Sequence, residues 1–344
     1  MGLPEIALFV GFLLSFLMAI AMGGNDAASP TATAVGARVI GIKQALVLFA
    51  IFAAVGALTQ GFMVMKTIGM GIVPSIDLLG AIIAVLSTFT WVMICNFYGL
   101  EISVTHSIIG SILGYGIAAY GISGIQWNLL QTVIISWFTS PILAALLAFL
   151  MYKLLAFVVT RYIAVDRFMP SLLKLTLCYS AYAFGTNDIA NATGIYFTVA
   201  RMALGNPPEQ NVIFLLAIFG SIGLAIGGFW LGPRVIETVA FKITRLSLIS
   251  GTAAETSNAV IVHLFSLIPY MMFGYGMPIS TSLASIGALV GVGFASYGSS
   301  GINKKTIMVL VAGWVATIFV TAFLTYVFYT ILFPYIGSII KPNL

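Results

Sequence analysis

The stretch Gly-Thr-Asn-Asp-Ile-Ala-Asn-Ala at residues 185–192 is a polar phrase that follows a long apolar run. A looser copy, Gly-Gly-Asn-Asp-Ala-Ala-Ser-Pro, stands 162 positions earlier at residues 23–30, again after an apolar run. An Asn-Asp pair at membrane depth is costly unless it binds something. Two such pairs in register predict a duplicated membrane fold with a polar site between its halves.

The composition supports a membrane protein. The chain has 344 residues, of which 61% are hydrophobic and 7% are charged, whereas a soluble domain carries about 25% charged residues. The apolar runs are long and do not alternate, so they predict helices rather than a barrel. We therefore expect an all-α polytopic membrane protein with 10–12 transmembrane segments in contact with the lipid bilayer. The net charge of +5 is a topology signal, and we expect no nucleic-acid partner.

A second internal repeat divides the chain. Residues 98–116 and 275–293 are identical at eight of 19 aligned positions, which predicts a first membrane repeat over 1–160, a cytoplasmic linker over 161–169 and a second repeat over 170–344. An odd number of spans per repeat forces the second repeat to insert upside down relative to the first. We expect two inverted-topology repeats of about five spans each, with discontinuous helices. The ten predicted spans are 3–22 (continuing past the phrase), 43–63, 76–96, 104–120, 127–157, 171–200, 210–231, 247–272, 280–297 and 306–334.

Basic residues predict the orientation. With the N-terminus outside, eleven of the fourteen Lys and Arg residues fall on the inner side, and only Lys66, Arg201 and Lys341 fall outside. This excess of positive charge inside favours N- and C-termini outside the cell and a multi-pass protein of the plasma membrane.

The Asn-Asp phrases are the candidate cation sites. Small neighbours and glycines predict unwound backbone, whose carbonyl oxygens would join carboxylate, amide and hydroxyl oxygens in a cage suited to Na⁺. The alternative is that Asn and Asp cap helices or form interhelical hydrogen bonds. The candidate Na⁺ ligands are Asn25, Asp26, Asn187, Asp188, Thr193, Glu255 and Asn258.

The second pair of repeats carries the candidate anion site. In each copy a glycine-containing stretch precedes clustered hydroxyls and an apolar run, which predicts a helix N-terminus inside the membrane. No Lys or Arg lies in any of the four phrases, so an anion would depend on dipoles, hydroxyls and bound cations. The alternative is Ser and Thr packing at helix crossings, and Glu101 could lie at the site or at an interface. The candidate anion-binding residues are Ser103, Val104, Thr105, His106, Ser280, Thr281 and Ser282.

These residues resemble the inorganic phosphate transporter (PiT) family. The phrase at 185–192 is similar to the family's Gly-Ala-Asn-Asp-Val-Ala-Asn-Ala, and Pro-Ile-Ser-Thr-Ser-Leu at 278–283 is similar to its Pro-Val-Ser-Thr-Thr-His. The resemblance implies a phosphate transporter driven by Na⁺ or H⁺. The chain departs from the family pattern at Glu101, where proline is usual, and at Leu283, where histidine or glutamine is usual. It also lacks the large hydrophilic insert that many members carry between the halves.

We accordingly expect a secondary active transporter that imports inorganic phosphate by Na⁺ symport with alternating access. Coupling to H⁺, or transport of sulfate or another oxyanion on the same fold, is the nearest alternative, and an ion channel or a non-transporting scaffold is the alternative from another class. We expect no enzyme activity and no organic cofactor beyond Na⁺ as coupling ion. Glycine-rich faces such as residues 220–228 leave open whether they pack within a protomer or in a homodimer.

Overall fold

The computed structural model describes residues 3–70, 72–205 and 209–340, and throughout these ranges the chain is helical without strands. The helices are α1 Leu3–Asp26, α2 Ala28–Gly36, α3 Ile42–Gln60, α4 Phe62–Met70, α5 Leu78–Tyr98, α6 Val104–Tyr120, α7 Trp127–Arg161, α8 Ile163–Asp166, α9 Met169–Leu204, α10 Gln210–Lys242, α11 Leu248–Phe273, α12 Thr281–Tyr297 and α13 Lys304–Ile340.

All ten predicted spans coincide with helices, some of them longer than predicted. Eight helices in the described ranges are long and apolar enough to cross a membrane by length and composition. α6, with 17 residues, and α9, which carries the phrase at 185–192, are not among these eight. The expected all-α polytopic architecture is thereby confirmed.

The Ser/Thr phrases begin helices, as predicted. Ser103 and Ser280 are the N-caps of α6 and α12, and their hydroxyl oxygens accept hydrogen bonds from the N–H groups of His106 and Leu283 at 3.1 and 3.3 Å. A serine oxygen that accepts from the third helical N–H satisfies one of the donors that a helix start leaves free. Gly99 lies in the left-handed region and ends α5, so the chain leaves that helix and enters an extended segment before α6.

The prediction of unwound backbone at the Asn-Asp phrases is wrong for the second phrase. At the first phrase the helix is interrupted at one residue only. α9 runs without interruption through Asn187 and Asp188. Between α1 and α2 only Ala27 departs from the helix, and its backbone angles remain right-handed. Pro30 accounts for this small break, because it has no N–H to donate to the carbonyl of Asp26 and its ring crowds that carbonyl. The polar side chains are satisfied by tertiary contacts instead.

The helices of the two halves pack reciprocally. α1 packs on α10 as α9 packs on α3, and α6 packs on α13 as α12 packs on α7. Opposite chain directions are compatible with this pairing: Gly251 at the start of α11 contacts both Leu173, near the start of α9, and Ala37, just after α2. The arrangement is compatible with the predicted inverted repeats, whose residue boundaries remain predictions.

Small residues allow the closest helix crossings. A methyl group added at Gly227 on α10 would collide with the backbone of Ile20 on α1, and one at Gly223 would lie 2.7 Å from the Cβ of Ala19. These two glycines of the 220–228 face therefore pack within the protomer. The homodimer stays an open prediction without support from them.

Candidate functional site

The extended segment before α6 is fixed by Asn25. Its amide nitrogen donates to Oδ1 of Asn96 at 2.7 Å and to the carbonyl of Leu100 at 3.0 Å. Its amide oxygen accepts from the N–H of Ile102 at 3.0 Å. Asn96 in turn donates to the carbonyl of Ala21. Asn25 thus ties the first phrase to the backbone that leads into α6, and the amide oxygen predicted for a cation already accepts one hydrogen bond.

Asn187 does the same in the second half. Its amide nitrogen donates to Ser266 at 2.7 Å and to the carbonyl of Met277 at 2.9 Å, and its amide oxygen accepts from the N–H of Ile279 at 3.3 Å. The pattern repeats that of Asn25: a donation to one carbonyl and an acceptance from the N–H two residues later. Both asparagines therefore hold the segment that precedes a buried helix N-terminus.

Hydroxyls of the two helix N-termini exchange hydrogen bonds across the halves. Thr105 Oγ1 donates to the carbonyl of Ile279 at 3.0 Å, and Ser282 Oγ donates to the carbonyl of Ile102 at 3.1 Å. Asn191 adds a donation to Thr105 at 3.1 Å. The two predicted anion phrases therefore meet in space, and the protons of Thr105 and Ser282 are already given to the protein.

The donors that remain for an anion are a smaller set than predicted. The hydroxyl oxygens of Ser103 and Ser280 accept capping bonds, and no acceptor for their protons is found among the described residues. The first N–H groups of α6 and α12, from Val104, Thr105, Thr281 and Ser282, precede the capped one and need a partner from outside the helix.

Three buried carboxylates lie beside the start of α12. Asp26, Asp188 and Glu101 are each no more than 1% exposed. Asp188 Oδ1 accepts from Asn191 at 3.1 Å, and Glu101 Oε1 accepts from Ser29 at 2.9 Å. One oxygen of each carboxylate has no hydrogen-bond partner within the described ranges. Since a buried charge without a partner is strongly unfavourable, these oxygens are placed to receive cations or protons.

The two aspartates face the hydroxyls of α12. Asp26, from the first half, lies beside Ser282 and interacts electrostatically with Asp188 and Glu101. Asp188 lies beside Thr281 and Asn191. The structure therefore brings the predicted Asp26, Asp188, Thr281 and Ser282 into one buried polar centre.

Other predicted cation ligands lie elsewhere or have partners. Glu255 accepts from Thr33 on α2, and Asn258 donates to Ser180 at 3.1 Å. Thr33 follows Asp26 by seven residues, which is about 10 Å along a helix. The Thr33–Glu255 pair therefore belongs to a second polar cluster. One oxygen each of Glu255 and Asn258 has no partner in the described part of the chain. Thr193 donates to the carbonyl of Ile189 in its own helix.

The His106 side chain packs against an aromatic ring, and its two ring nitrogens have no hydrogen-bond partner within residues 3–70, 72–205 and 209–340. The side chain is 4% exposed, and its ring centroid lies 3.9 Å from that of Trp137 at an interplanar angle of 48°. The sequence did not decide whether Glu101 lies at the site or at an interface, and the structure places it at the site. His263 bonds Tyr179 and Gln60 away from it.

Four residues that build the polar centre were not predicted from the sequence: Ser29, Asn96, Asn191 and Ser266. Asn96 had a usable signal, because an asparagine inside an apolar span of 21 residues is an isolated polar group at membrane depth. Ser29 and Asn191 lie inside the quoted phrases, three residues after each aspartate, and helical spacing places them on the same face. Ser266 gave no signal, since serine is common in membrane helices.

Metal-ligand chemistry at this centre is restricted to hard oxygen atoms. In residues 3–70, 72–205 and 209–340, no group of three His, Cys, Asp or Glu side chains is placed to hold a metal ion. The available ligands are carboxylate, hydroxyl and backbone oxygens, a set that suits hard cations.

Fold and site together define a multi-pass helical membrane protein with a buried polar centre where two helix N-termini meet. The profile of the phosphate transporter family matches residues 22–325, and the chain belongs to that family.

Relatives and a solved structure agree with this assignment. The “putative phosphate permease” of Pyrococcus furiosus is 31% identical over 395 residues, covering 92% of this chain and 94% of the relative. Its counterpart in Thermococcus kodakarensis is 31% identical over 411 residues, with 96% and 99% coverage. These alignments are longer than the 344 residues of the chain, so the relatives carry segments that this chain lacks. The solved structure of “The sodium-dependent phosphate transporter” matches with a TM-score of 0.86 and 29% identity over 96% of this chain and 100% of that one.

Proposed function

We propose that this membrane protein imports inorganic phosphate by Na⁺ symport, with phosphate bound between the N-termini of α6 and α12. The observation that carries the proposal is that one buried centre holds hydrogen-bond donors without an acceptor and carboxylate oxygens without a partner, as far as the described residues go. The hydroxyls of Ser103 and Ser280 and the first N–H groups of both helices would bind the anion. Asp26 and Asp188 would bind Na⁺, with neighbouring Asn25 and Asn187 positioning the segments.

Charge balance favours co-transported cations. No lysine or arginine lies in the four phrases, so an anion at this centre adds to the negative charge of the aspartates. Moving a divalent anion into a cell whose interior is at about −100 mV also costs about 4.6 kcal/mol, at ~2.3 kcal/mol per charge. Two or more Na⁺ ions offset both costs, and the sodium-dependent solved relative supports Na⁺ over H⁺.

Burial requires a moving part. The aspartates and hydroxyls of the centre are at most 2% exposed, so an ion bound there exchanges with water only when packed helices separate. We propose alternating access in which one group of helices moves against the rest. The bonds that cross between the halves, from Thr105 and Ser282, are candidates for contacts that hold the closed state.

Orientation follows from the basic residues. The junction after α2 and the α10–α11 junction share one end of the bundle, since Gly36 contacts Ala240 and Leu246. Thr244 contacts Gly293 and bonds Gly301, which brings the α12–α13 junction to the same end. These junctions carry Arg38, Lys43, Lys242, Arg245, Lys304 and Lys305. We propose that this end is cytoplasmic in the plasma membrane, with both termini outside; Lys341 lies outside the described residues.

Uptake of labelled phosphate into proteoliposomes tests the function. Three conditions are compared: an inward Na⁺ gradient, an inward H⁺ gradient and no gradient, each with and without excess unlabelled sulfate. Saturable uptake that requires Na⁺ and ignores sulfate is expected. Uptake driven by H⁺ alone, or abolished by sulfate, would reassign the coupling ion or the substrate, and conductance without saturation would indicate a channel.

A further inference from the structure

Glu101 breaks the symmetry between the halves at the polar centre. The corresponding position of the second copy is Pro278, so one helix entrance carries a carboxylate and the other does not. Glu101 is fully buried, its Oε1 accepts from Ser29 at 2.9 Å, and its Oε2 has no partner among the described residues. A buried carboxylate that leaves one oxygen unpaired needs a counter-charge.

Further oxygen atoms surround this carboxylate. Ser282 lies beside both Glu101 and Asp26, and Asp26 Oδ1 likewise lacks a partner in the described part of the chain. Pro30 cannot donate to the backbone carbonyl of Asp26, so that oxygen is released from the usual helical hydrogen bond. Carboxylate and hydroxyl oxygens thus converge from three segments, and none of the four phrases contributes a basic side chain.

We propose that Glu101 and Asp26, with the hydroxyl oxygens of Ser29 and Ser282, form an additional binding position for a monovalent metal cation such as Na⁺. The inference rests on the proposed function and extends it: Asp26 and Asp188 account for one Na⁺ per Asn-Asp phrase, and Glu101 adds one more, with the Asp26 carboxylate shared between the first-phrase Na⁺ and the additional one. The third carboxylate carries a third negative charge into the centre, and a third cation balances it. Because Asp26 is shared, Glu101 brings the one new negative charge to this position, which a monovalent hard cation balances.

The Na⁺-to-phosphate flux ratio tests the additional position. Uptake of ²²Na⁺ and ³²P-phosphate is measured in the same proteoliposomes for the wild type, for Glu101→Gln and for the matched control Glu209→Gln, which makes the same change at an exposed residue. We expect the ratio to fall by one Na⁺ per phosphate in Glu101→Gln and to stay at the wild-type value in Glu209→Gln. An unchanged ratio in Glu101→Gln overturns the proposal. An unchanged ratio is the result expected if Glu101 carries a proton instead of Na⁺.

If Glu101→Gln does not transport at all, equilibrium binding of ²²Na⁺ to the purified protein tests the proposal instead. Glu101→Gln should bind one Na⁺ fewer per chain, whereas Glu101→Asp should bind the wild-type number with weaker affinity because its carboxylate is one methylene shorter. An equal number bound by Glu101→Gln and wild type overturns the proposal. Failure of the function itself is distinguishable, since the wild type would then show no Na⁺-dependent phosphate uptake at all.

Discussion

Thr105 and Ser282 form a reciprocal pair: each donates its hydroxyl proton to a backbone carbonyl just before the other's helix, at 3.0 Å to Ile279 and 3.1 Å to Ile102. The two hydroxyls are 177 residues apart in sequence, and so are the two carbonyls. The pair therefore obeys the internal repeat and joins its two copies at the polar centre. Each hydroxyl binds the backbone segment that leads into the other residue's helix, so the pair helps to hold the two halves together.

Replacing Thr105 or Ser282 by alanine should destabilise the closed centre. Each change removes the hydrogen bond to the carbonyl, of about 0.5–1.5 kcal/mol net, and leaves that buried carbonyl without its donor, for about 1–3 kcal/mol in total. Thr105→Ala also removes the hydrogen bond that Asn191 donates to Thr105. Thermal unfolding of the detergent-purified protein measures this loss. Thr105→Ser and Ser282→Thr keep the hydroxyl and should retain most of the stability, and Thr330→Ala on an exposed face should change little. Alanine variants as stable as these controls would contradict the structural role.

Local chemistry explains which parts of this structure the sequence could predict. The starts of α6 and α12 follow from a serine that caps the helix after an extended glycine-containing segment, so they were predictable. The long-range role of Asn25 and Asn187 was not predictable, because their partners lie 71–92 residues away in sequence. The type of a side chain does not indicate which distant backbone groups it will contact. The expected unwinding failed for the same reason: tertiary contacts satisfied the polar phrase, so α9 had no need to break.

Removing the hydroxyl of Ser103 or Ser280 should weaken phosphate binding. A hydrogen bond to a charged group contributes about 1.5–3 kcal/mol, which corresponds to a rise of roughly 10- to 150-fold in the half-saturating phosphate concentration. Glycine is the suitable replacement, because it caps a helix nearly as well as serine while removing the hydroxyl. Phosphate uptake at varied concentration measures the effect.

The control for this pair is Ser247→Gly, which makes the same change at the N-cap of α11, away from the proposed anion site. Its half-saturating concentration should equal that of the wild type. If Ser103→Gly and Ser280→Gly also transport phosphate with wild-type affinity, then their hydroxyls do not contact the anion and the backbone N–H groups bind it alone.

Truncating Asn25 or Asn187 to alanine should cost more stability than any single hydroxyl. Each amide makes three hydrogen bonds, and at about 1 kcal/mol or more for each buried group left unpaired the loss is about 3 kcal/mol. Thermal unfolding and the yield of folded protein measure it. Asn128→Ala at an exposed position is the matched control. A loss of Na⁺ affinity without any loss of stability would instead indicate that the asparagines act as cation ligands.

Asp26→Asn and Asp188→Asn should abolish Na⁺-driven phosphate uptake while the protein stays folded. Each substitution keeps the shape of the side chain and removes the negative charge, and one oxygen of each aspartate already lacks a hydrogen-bond partner in the described residues, so little packing is lost. Without the charge, the attraction for Na⁺ in a medium of low dielectric largely disappears. Uptake under a Na⁺ gradient measures the effect, with elution as a monodisperse species as the test of folding.

Asp166→Asn, at an exposed residue of the segment between α7 and α9, supplies the control and should transport like the wild type. The two site variants also separate coupling from binding. If the aspartates bind only Na⁺, phosphate binding measured without Na⁺ should be unchanged or stronger, because each variant removes a negative charge near the anion. Wild-type Na⁺-driven uptake in both variants would remove the aspartates from the cation site and leave Glu101 and Glu255 as the buried carboxylates to test.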